Sequence, residues 1–289
     1  MKEIVKEKIA SLLSGDEEIQ SVEQLGGMTN QNYLVKSTSN QYIVKFFGKG
    51  TDKLIDRQNE KFNLELLKDL KLDVENYLFD IEAGIKVNQY IENAETLDST
   101  TIKSKFEKIA PILQTIHASG KELRGEFAPF EEIKKYESLN QGEISYPNYD
   151  AVRKSVFSLK EELEQIGVDK KSCHIDLVPE NFIEGPDGHL YLIDWEYSSM
   201  NDPMWDLAAL FLESEFTSAE EQDFLSHYES DNTPVSREKI RIYKILQDII
   251  WSLWTIYKEE NGADFGDYGI SRYNRAVKEL ESEGDLNEN

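Results

Sequence analysis

One cysteine, Cys173, stands in a chain of 289 residues, so no internal disulfide can form and the fold must rest on its core. Basic residues are scarce: 32 lysines and arginines face 56 aspartates and glutamates, a formal charge of −24. That balance excludes a scaffold for nucleic acid or for an anionic membrane, and it favours small cationic partners. Long apolar runs are missing too. The segment around Trp251 is broken by Asp248 and Lys258 and is too short to span a bilayer. The opening MKEIVKEKIASLLSG mixes acids with bases where a signal peptide has an unbroken apolar stretch. The histidines and the lone cysteine show no zinc spacing, so no structural metal is expected. No internal repeat and no low-complexity tract occurs, and the tail from Glu279, ELESEGDLNEN, is too acidic and too poor in apolar residues to pack. The expectation is a soluble cytoplasmic protein with no nucleic-acid or membrane partner.

What is present suffices for a substantial core, since 39% of the residues are apolar. An amphipathic opening helix (Ile4, Val5, Ile9, Leu12, Leu13) leads into three β-like runs, EIQSVEQL, QNYLVKS and QYIVKFFG, separated by GGMTN and by Thr38-Ser39-Asn40. This pattern predicts an antiparallel meander. A helix over 56–70 follows, with Phe62, Leu66, Leu67 and Leu70 at helical spacing, and then strands in NYLFDI and GIKVNQYI. From Thr96 onward the reading is mostly helical, and Pro111 should kink the helix that carries Ile102, Phe106, Ile109, Leu113 and Ile116. One exception is NFIEGPDGHLYLIDW, which reads as a hairpin about a Pro-Asp-Gly turn. The fold class is α+β, with a small antiparallel-sheet lobe over 1–92 and a larger, mostly helical lobe over 93–289.

Chemistry concentrates around that hairpin. CHIDLVPENF places His174, Asp176 and Asn181 in the spacing H-x-D-x-x-x-x-N, in which the Asp orients or deprotonates an acceptor hydroxyl and the Asn binds Mg²⁺ beside a transferred phosphate. Asn181 begins the first hairpin strand and Asp194 ends the second, so antiparallel pairing returns both to one end. Two hard-oxygen ligands of that kind, completed by phosphates and water, suit Mg²⁺. Lys45 shares a strand face with Ile43 and Phe47, where an ammonium must find an anion. A nucleotide phosphate is one such anion, with Glu60 as the steadying carboxylate and Glu65, deeper in the helix, as the lesser choice. In GGMTN, Gly26 and Gly27 allow backbone N–H groups to approach phosphate oxygens, helped by Thr29 and Asn30, although the stretch is not G-x-G-x-x-G. Each feature also has a plain structural reading: a capped loop, a strand-end turn residue, an edge-strand lysine with its head in water, a hairpin loop. His117 is read as a hydrogen-bonded core or helix-end histidine.

Taken in order, Lys45, Glu60, VNQYIE, CHIDLVPEN and LIDWEY resemble the protein-kinase-like fold of aminoglycoside phosphotransferases and choline/ethanolamine kinases over nearly the whole chain. Within it, IDWEYSSMNDPMWDLAALFLE is similar to the choline kinase signature, with Glu196, Tyr197 and Asp206 at its acidic, tyrosine and second-Asp positions. The resemblance implies that Asp176 is the catalytic base, that Asn181 and Asp194 bind Mg²⁺, and that ATP lies between the lobes with its adenine against Gln89, Tyr90 and Ile91. The sequence departs from the pattern in its short phosphate loop, in Ile175 at the middle of the His-x-Asp triplet, and in Trp195 where Phe is commoner.

IIWSLWTIYK sets Trp251 and Trp254 three residues apart, neighbours on one helix surface. Without context the pair is ordinary core among Ile249, Ile250, Leu253 and Ile256. In choline kinases a W-x-x-W helix and a later tyrosine line the alcohol pocket, and Tyr268 and Glu213 match its tyrosine and carboxylate here. A quaternary ammonium has no N–H to donate, so aromatic faces are its natural ligands. The resemblance therefore implies an ATP-dependent choline kinase, a monomer or homodimer. Were the chain bacterial, its phosphocholine would decorate surface glycans. The alternatives are an ethanolamine kinase, an aminoglycoside-type phosphotransferase, and an inactive nucleotide- or choline-binding module.

Overall fold

Along the chain run α1 (Lys2–Lys8), β1 (Ile19–Gln24), β2 (Gln31–Ser37), β3 (Gln41–Phe46), α2 (Arg57–Leu67), β4 (Asn76–Asp80), β5 (Ile85–Gln89) and β6 (Glu95–Thr96). Then come α3 (Phe106–His117), α4 (Pro129–Leu139), α5 (Tyr149–Ile166), β7 (Lys171–Cys173), β8 (Phe182–Glu184), β9 (Leu190–Leu192) and β10 (Ser199–Asn201), followed by α6 (Pro203–Glu213), α7 (Ser218–Tyr228), α8 (Arg237–Glu260) and α9 (Tyr268–Asn287). These elements belong to a computed structural model that describes residues 2–13, 16–27, 30–48, 50–140, 142 and 144–287, with side chains to residue 281. The expected α+β architecture is the one observed, and two units share it: Met1–Ile112 with Pro179–Ser198, and Leu113–Val178 with Ser199–Asn289. A single cut after residue 92 does not separate them. Strand β8 pairs with β6, and the Leu192 N–H donates to the Leu72 carbonyl at 2.8 Å, which ties the hairpin to the first unit.

In the first unit an antiparallel sheet has the order β1-β2-β3-β5-β4. Alternation along the strands sorts its two faces. Tyr33, Val35, Tyr42, Val44, Ile85 and Val87 form one buried face, closed by Val5 and Ile9. On the other face Asn32, Lys45 and Lys86 are cross-strand neighbours. Helix α2 starts where Asp56 accepts the N–H groups of Gln58 and Asn59, a side-chain cap that satisfies otherwise orphaned donors. The expected hairpin is present: β8 and β9 pair antiparallel about the turn, with Gly188 at φ 79, a conformation that glycine adopts without strain.

In the second unit α8 is the central helix, its buried side chains running from Ile240 to Tyr257. Asp202 caps α6 through the Met204 N–H, and Pro203 takes the first helical position, where its missing donor costs nothing. One expectation is corrected. Helix α1 ends at Lys8, and Ile4 is exposed rather than on the buried stripe. Helix α3 contains Pro111, with Leu113 and Ile116 buried beyond it. The backbone of the acidic tail is helical to Asn287, and its Glu279 and Glu281 side chains are exposed. Among the described residues no helix is long and apolar enough to cross a membrane.

Candidate active site

Two groups of predicted residues assemble, one in each unit. In the first unit β3 carries Lys45, 6% exposed, with its Nζ 2.6 Å from Asp194 Oδ1. Burial alone would lower the lysine pKa, but the carboxylates of Asp194, Glu196 and Glu60 outweigh it and raise the value above the ordinary one. Asp194 follows β9 with φ 66 and ψ 59, and the Ile193 N–H donates to the Asn181 carbonyl at 2.8 Å. The backbone thus brings residues 181 and 193 to the same end of the hairpin. One carboxylate and one amide, both oxygen donors, form a set that fits Mg²⁺.

Glu60 is buried at 1% exposure, but its direct partners are Lys86 Nζ at 2.5 Å and Arg57 Nη1 at 2.6 Å, and not Lys45. The reason lies in the register. Lys45 and Lys86 are paired across β3 and β5 and project from the same face, so α2 presents its carboxylate to one lysine while Asp194 takes the other. These cations hold the Glu60 pKa below its usual value despite burial. Arg57 continues the network: Nη1 donates to Glu196 Oε2 at 2.9 Å, Nη2 to Asn30 Oδ1 at 2.9 Å, and its guanidinium lies 4.1 Å from the Phe47 ring centroid. Asn30 was expected to touch phosphate. Its amide is instead engaged internally, with Nδ2 donating to Glu196 Oε2 at 2.7 Å and Oδ1 accepting from Gly48 N at 3.3 Å. Gly27 is required at its position, since a Cβ there would lie 2.7 Å from both the Asn30 carbonyl and Asn32 Nδ2. Gly26 accepts from Asn32 Nδ2 at 2.9 Å. Thr29 lies outside the described residues. Gln89 closes β5, and Gln89, Tyr90 and Ile91 are all partly exposed.

In the second unit the loop after β7 carries His174, Ile175 and Asp176. Asp206 on α6, fully buried, fixes it: Oδ2 accepts the His174 N–H and Oδ1 the Ile175 N–H, both at 2.8 Å. The Ile175 carbonyl accepts from Trp205 Nε1 at 3.0 Å. Ile175 therefore sits at φ 76, an outlier for a β-branched residue that persists only because its surroundings enforce it. Asp176, the next residue, is partly exposed. His117 is the core histidine expected, with Nδ1 2.8 Å from the Tyr228 hydroxyl and Nε2 3.0 Å from Asp206 Oδ2. Cys173 lies close to His117 and Asp206, but hydrogen bonds already engage both partners, so this trio has a structural purpose.

Trp251 and Trp254 meet edge to face, with centroids 6.4 Å apart. Trp251 continues to Phe127 at 6.5 Å, and Phe127 to Trp205 at 4.9 Å, all in the core. Trp254 continues to Phe265 at 5.1 Å and thence to Tyr268 at 6.4 Å. Arg272 lies 5.0 Å from the Tyr268 centroid, donates to Glu213, and has Nη1 3.4 Å from Asp248 Oδ1. Burial raises the Tyr268 pKa, and the negative charges of Asp176 and Asp248 raise it further. Asp176 is therefore within electrostatic reach of Tyr268. Tyr197 belongs to the first unit, in the turn after Asp194. Arg57, Lys86 and Arg272 were missed by sequence reasoning. Lys86 had a signal, since IKVNQ repeats the lysine-in-strand pattern of YIVKF.

A choline/ethanolamine kinase family model matches residues 22–240. Protein LicA of Haemophilus influenzae is 32% identical over 266 residues, which cover 88% of this chain and 99% of LicA. The crystal structure of choline kinase LicA from Streptococcus pneumoniae superposes with a TM-score of 0.94 at 78% identity, covering 98% of this chain and 99% of that one. A LicA structure in complex with AMP gives a TM-score of 0.92 at 78% identity, with coverage of 97% and 98%.

Proposed function

We propose that this chain, which belongs to the choline/ethanolamine kinase family, transfers the γ-phosphate of ATP to the hydroxyl of choline, giving phosphocholine and ADP. The observation that carries this reading is the geometry of the second unit: a partly exposed Asp176 on a loop fixed by Asp206, and an aromatic run from Trp254 through Phe265 to Tyr268. Aromatic faces suit a cation that has no N–H, and a carboxylate beside them suits a hydroxyl that must lose its proton.

The roles divide by unit. In the first, Lys45 pairs with phosphate oxygens, Gly26 and Gly27 admit the phosphates, and residues 89–91 hold the base. Asn181 and Asp194 would hold Mg²⁺, whose charge offsets that of the phosphates. In the second, Asp176 orients the choline hydroxyl and accepts its proton as the O–P bond forms, while Trp251, Trp254 and Tyr268 bind the quaternary head beside Glu213, which Arg272 pairs. Tyr197 is assigned to the same head group. The need for ATP places the enzyme in the cytoplasm.

ADP release is to be measured with Mg²⁺-ATP and choline, ethanolamine or an aminoglycoside in parallel. Choline is expected to be the preferred substrate. Turnover of another alcohol with choline ignored would overturn the reading, and ATP binding without ADP release from any alcohol would make the protein a binding module.

A further inference from the structure

We propose that Arg272 sets the choice between quaternary and primary ammonium substrates by occupying the carboxylate of Glu213. The inference rests on the choline reading above and names what makes that site selective. Choline and ethanolamine carry the same charge and the same hydroxyl. They differ in that a trimethylammonium group donates no hydrogen bond, whereas a primary ammonium has three N–H groups that must each find an acceptor when water is removed.

Glu213 and Asp248, the two carboxylates that Arg272 meets, are already engaged. Glu213 Oε1 accepts from Arg272 Nη2. Asp248 is held by Arg275 in a two-bond fork, Nε to Oδ2 and Nη2 to Oδ1, each at 2.6 Å, with Arg272 Nη1 on Oδ1 as well. Arg272 is 3% exposed and lies over the Tyr268 ring at 5.0 Å, so the structure already seats one cation on that aromatic face. Burial and the neighbouring Arg275 pull the Arg272 pKa down to about 9, against the opposing pull of Asp176. The guanidinium nevertheless remains charged at neutral pH and keeps Glu213 neutralised. A primary ammonium entering beside it would strand N–H donors, while a trimethylammonium would lose nothing.

Removing the guanidinium should return Glu213 as an acceptor and help ethanolamine more than choline. The test is kcat/KM for both substrates with wild type, Arg272→Met, Arg272→Lys and the double variant Arg272→Met with Glu213→Gln. Met keeps the stem length over Tyr268, and Arg275 still holds Asp248. In Arg272→Met the choline-to-ethanolamine ratio falls about tenfold or more, chiefly through a lower KM for ethanolamine, while Arg272→Lys keeps a cation within reach of Glu213 and retains more of the choline preference than Arg272→Met. The double variant, which removes both charges together and so returns no carboxylate to the site, keeps the choline preference. If Arg272→Met lowers both substrates in proportion, or if the double variant accepts ethanolamine as readily as choline, Arg272 is structural and the proposal is overturned. Wild type ignoring choline would instead sink the choline reading itself, a result seen in a separate arm.

Discussion

Replacing Asp206 by Asn changes one atom and tests what holds the catalytic loop. The carboxylate has three donors around it: the His174 and Ile175 amides at 2.8 Å and His117 Nε2 at 3.0 Å. A carboxylate accepts all three, but an amide has one oxygen and one NH₂ group. Whichever way the amide turns, its NH₂ faces an N–H in a fully buried site. The smaller loss sets it against the Ile175 amide. A charge-assisted bond worth roughly 1.5–3 kcal/mol disappears, and a buried donor is left unsatisfied at about 1–3 kcal/mol, so the change costs about 3–5 kcal/mol. Ile175 is the residue at φ 76, a conformation that itself costs about 1–3 kcal/mol, and the lost bond is one that enforces it. The backbone therefore relaxes and Asp176, one residue on, shifts with it. A displacement of about 1 Å at a reacting group costs about 100-fold in rate. We expect kcat for ADP release to fall about 100-fold, KM for choline to change little because the aromatic set is untouched, and Tm to drop by roughly 10 °C. A variant that keeps kcat within about threefold of wild type would refute the reasoning, because the loop would then hold its shape without the carboxylate.

Lys45→Met removes both the partner of Asp194 and the cation assigned to phosphate, so kcat/KM for ATP is expected to fall about 100-fold with KM for choline unchanged; an unchanged ATP dependence would count against the assignment. Trp254→Ala should raise KM for choline by about 3- to 30-fold, the range of a lost cation–π face. Trp251→Ala, whose ring packs on Phe127, should lower Tm more than it raises KM, and the reverse order would exchange the two roles. Burial raises the Asp73 pKa to about 7. A carboxyl whose folded pKa is raised holds a proton that the unfolded chain releases, so its contribution to stability is present below about pH 4 and is lost as pH rises towards 7. Asp73 keeps some solvent access, which limits the effect to about 1–2 kcal/mol. Asp73→Asn should flatten the fall in Tm between pH 5 and pH 8, and parallel curves for the two proteins would exclude the effect.

The hairpin and the strands were legible because their signals are local: alternation and a Pro-Asp-Gly turn. The H-x-D-x-x-x-x-N run marked the loop for the same reason. What was not legible depends on register and on helix rotation. A sequence shows Lys45 and Glu60 but not that Lys86 stands beside Lys45 across the strand pair, so it cannot tell which lysine the α2 carboxylate meets. Asn30 looked like a phosphate contact because it follows two glycines. Its amide is instead engaged by Arg57 and Glu196, residues 27 and 166 positions away, a separation no local pattern encodes. Ile175 looked like a departure from the family pattern. Its strained φ is enforced by Asp206 and Trp205 from a different helix, and only the assembled loop shows why a bulky apolar residue is accommodated there.

Net charge and site charge answer different questions in this protein. An excess of 24 negative charges draws any small cation towards the surface, but its reach is limited to about 8 Å at physiological salt. It also acts equally on choline and ethanolamine. Discrimination must therefore arise where water is removed, and there the structure has placed cations against its own carboxylates. Lys45 is set on Asp194, Lys86 and Arg57 on Glu60, Arg57 also on Glu196, Arg272 on Glu213 and Arg275 on Asp248. An acidic chain thus keeps buried carboxylates paired, so an incoming ligand gains only by replacing a partner or by needing none. A phosphate can take Lys45 from Asp194, and a trimethylammonium needs no acceptor at all. A primary ammonium satisfies neither condition while Arg272 remains on Glu213, so the selectivity of this site follows from the pairing of its carboxylates and not from their number.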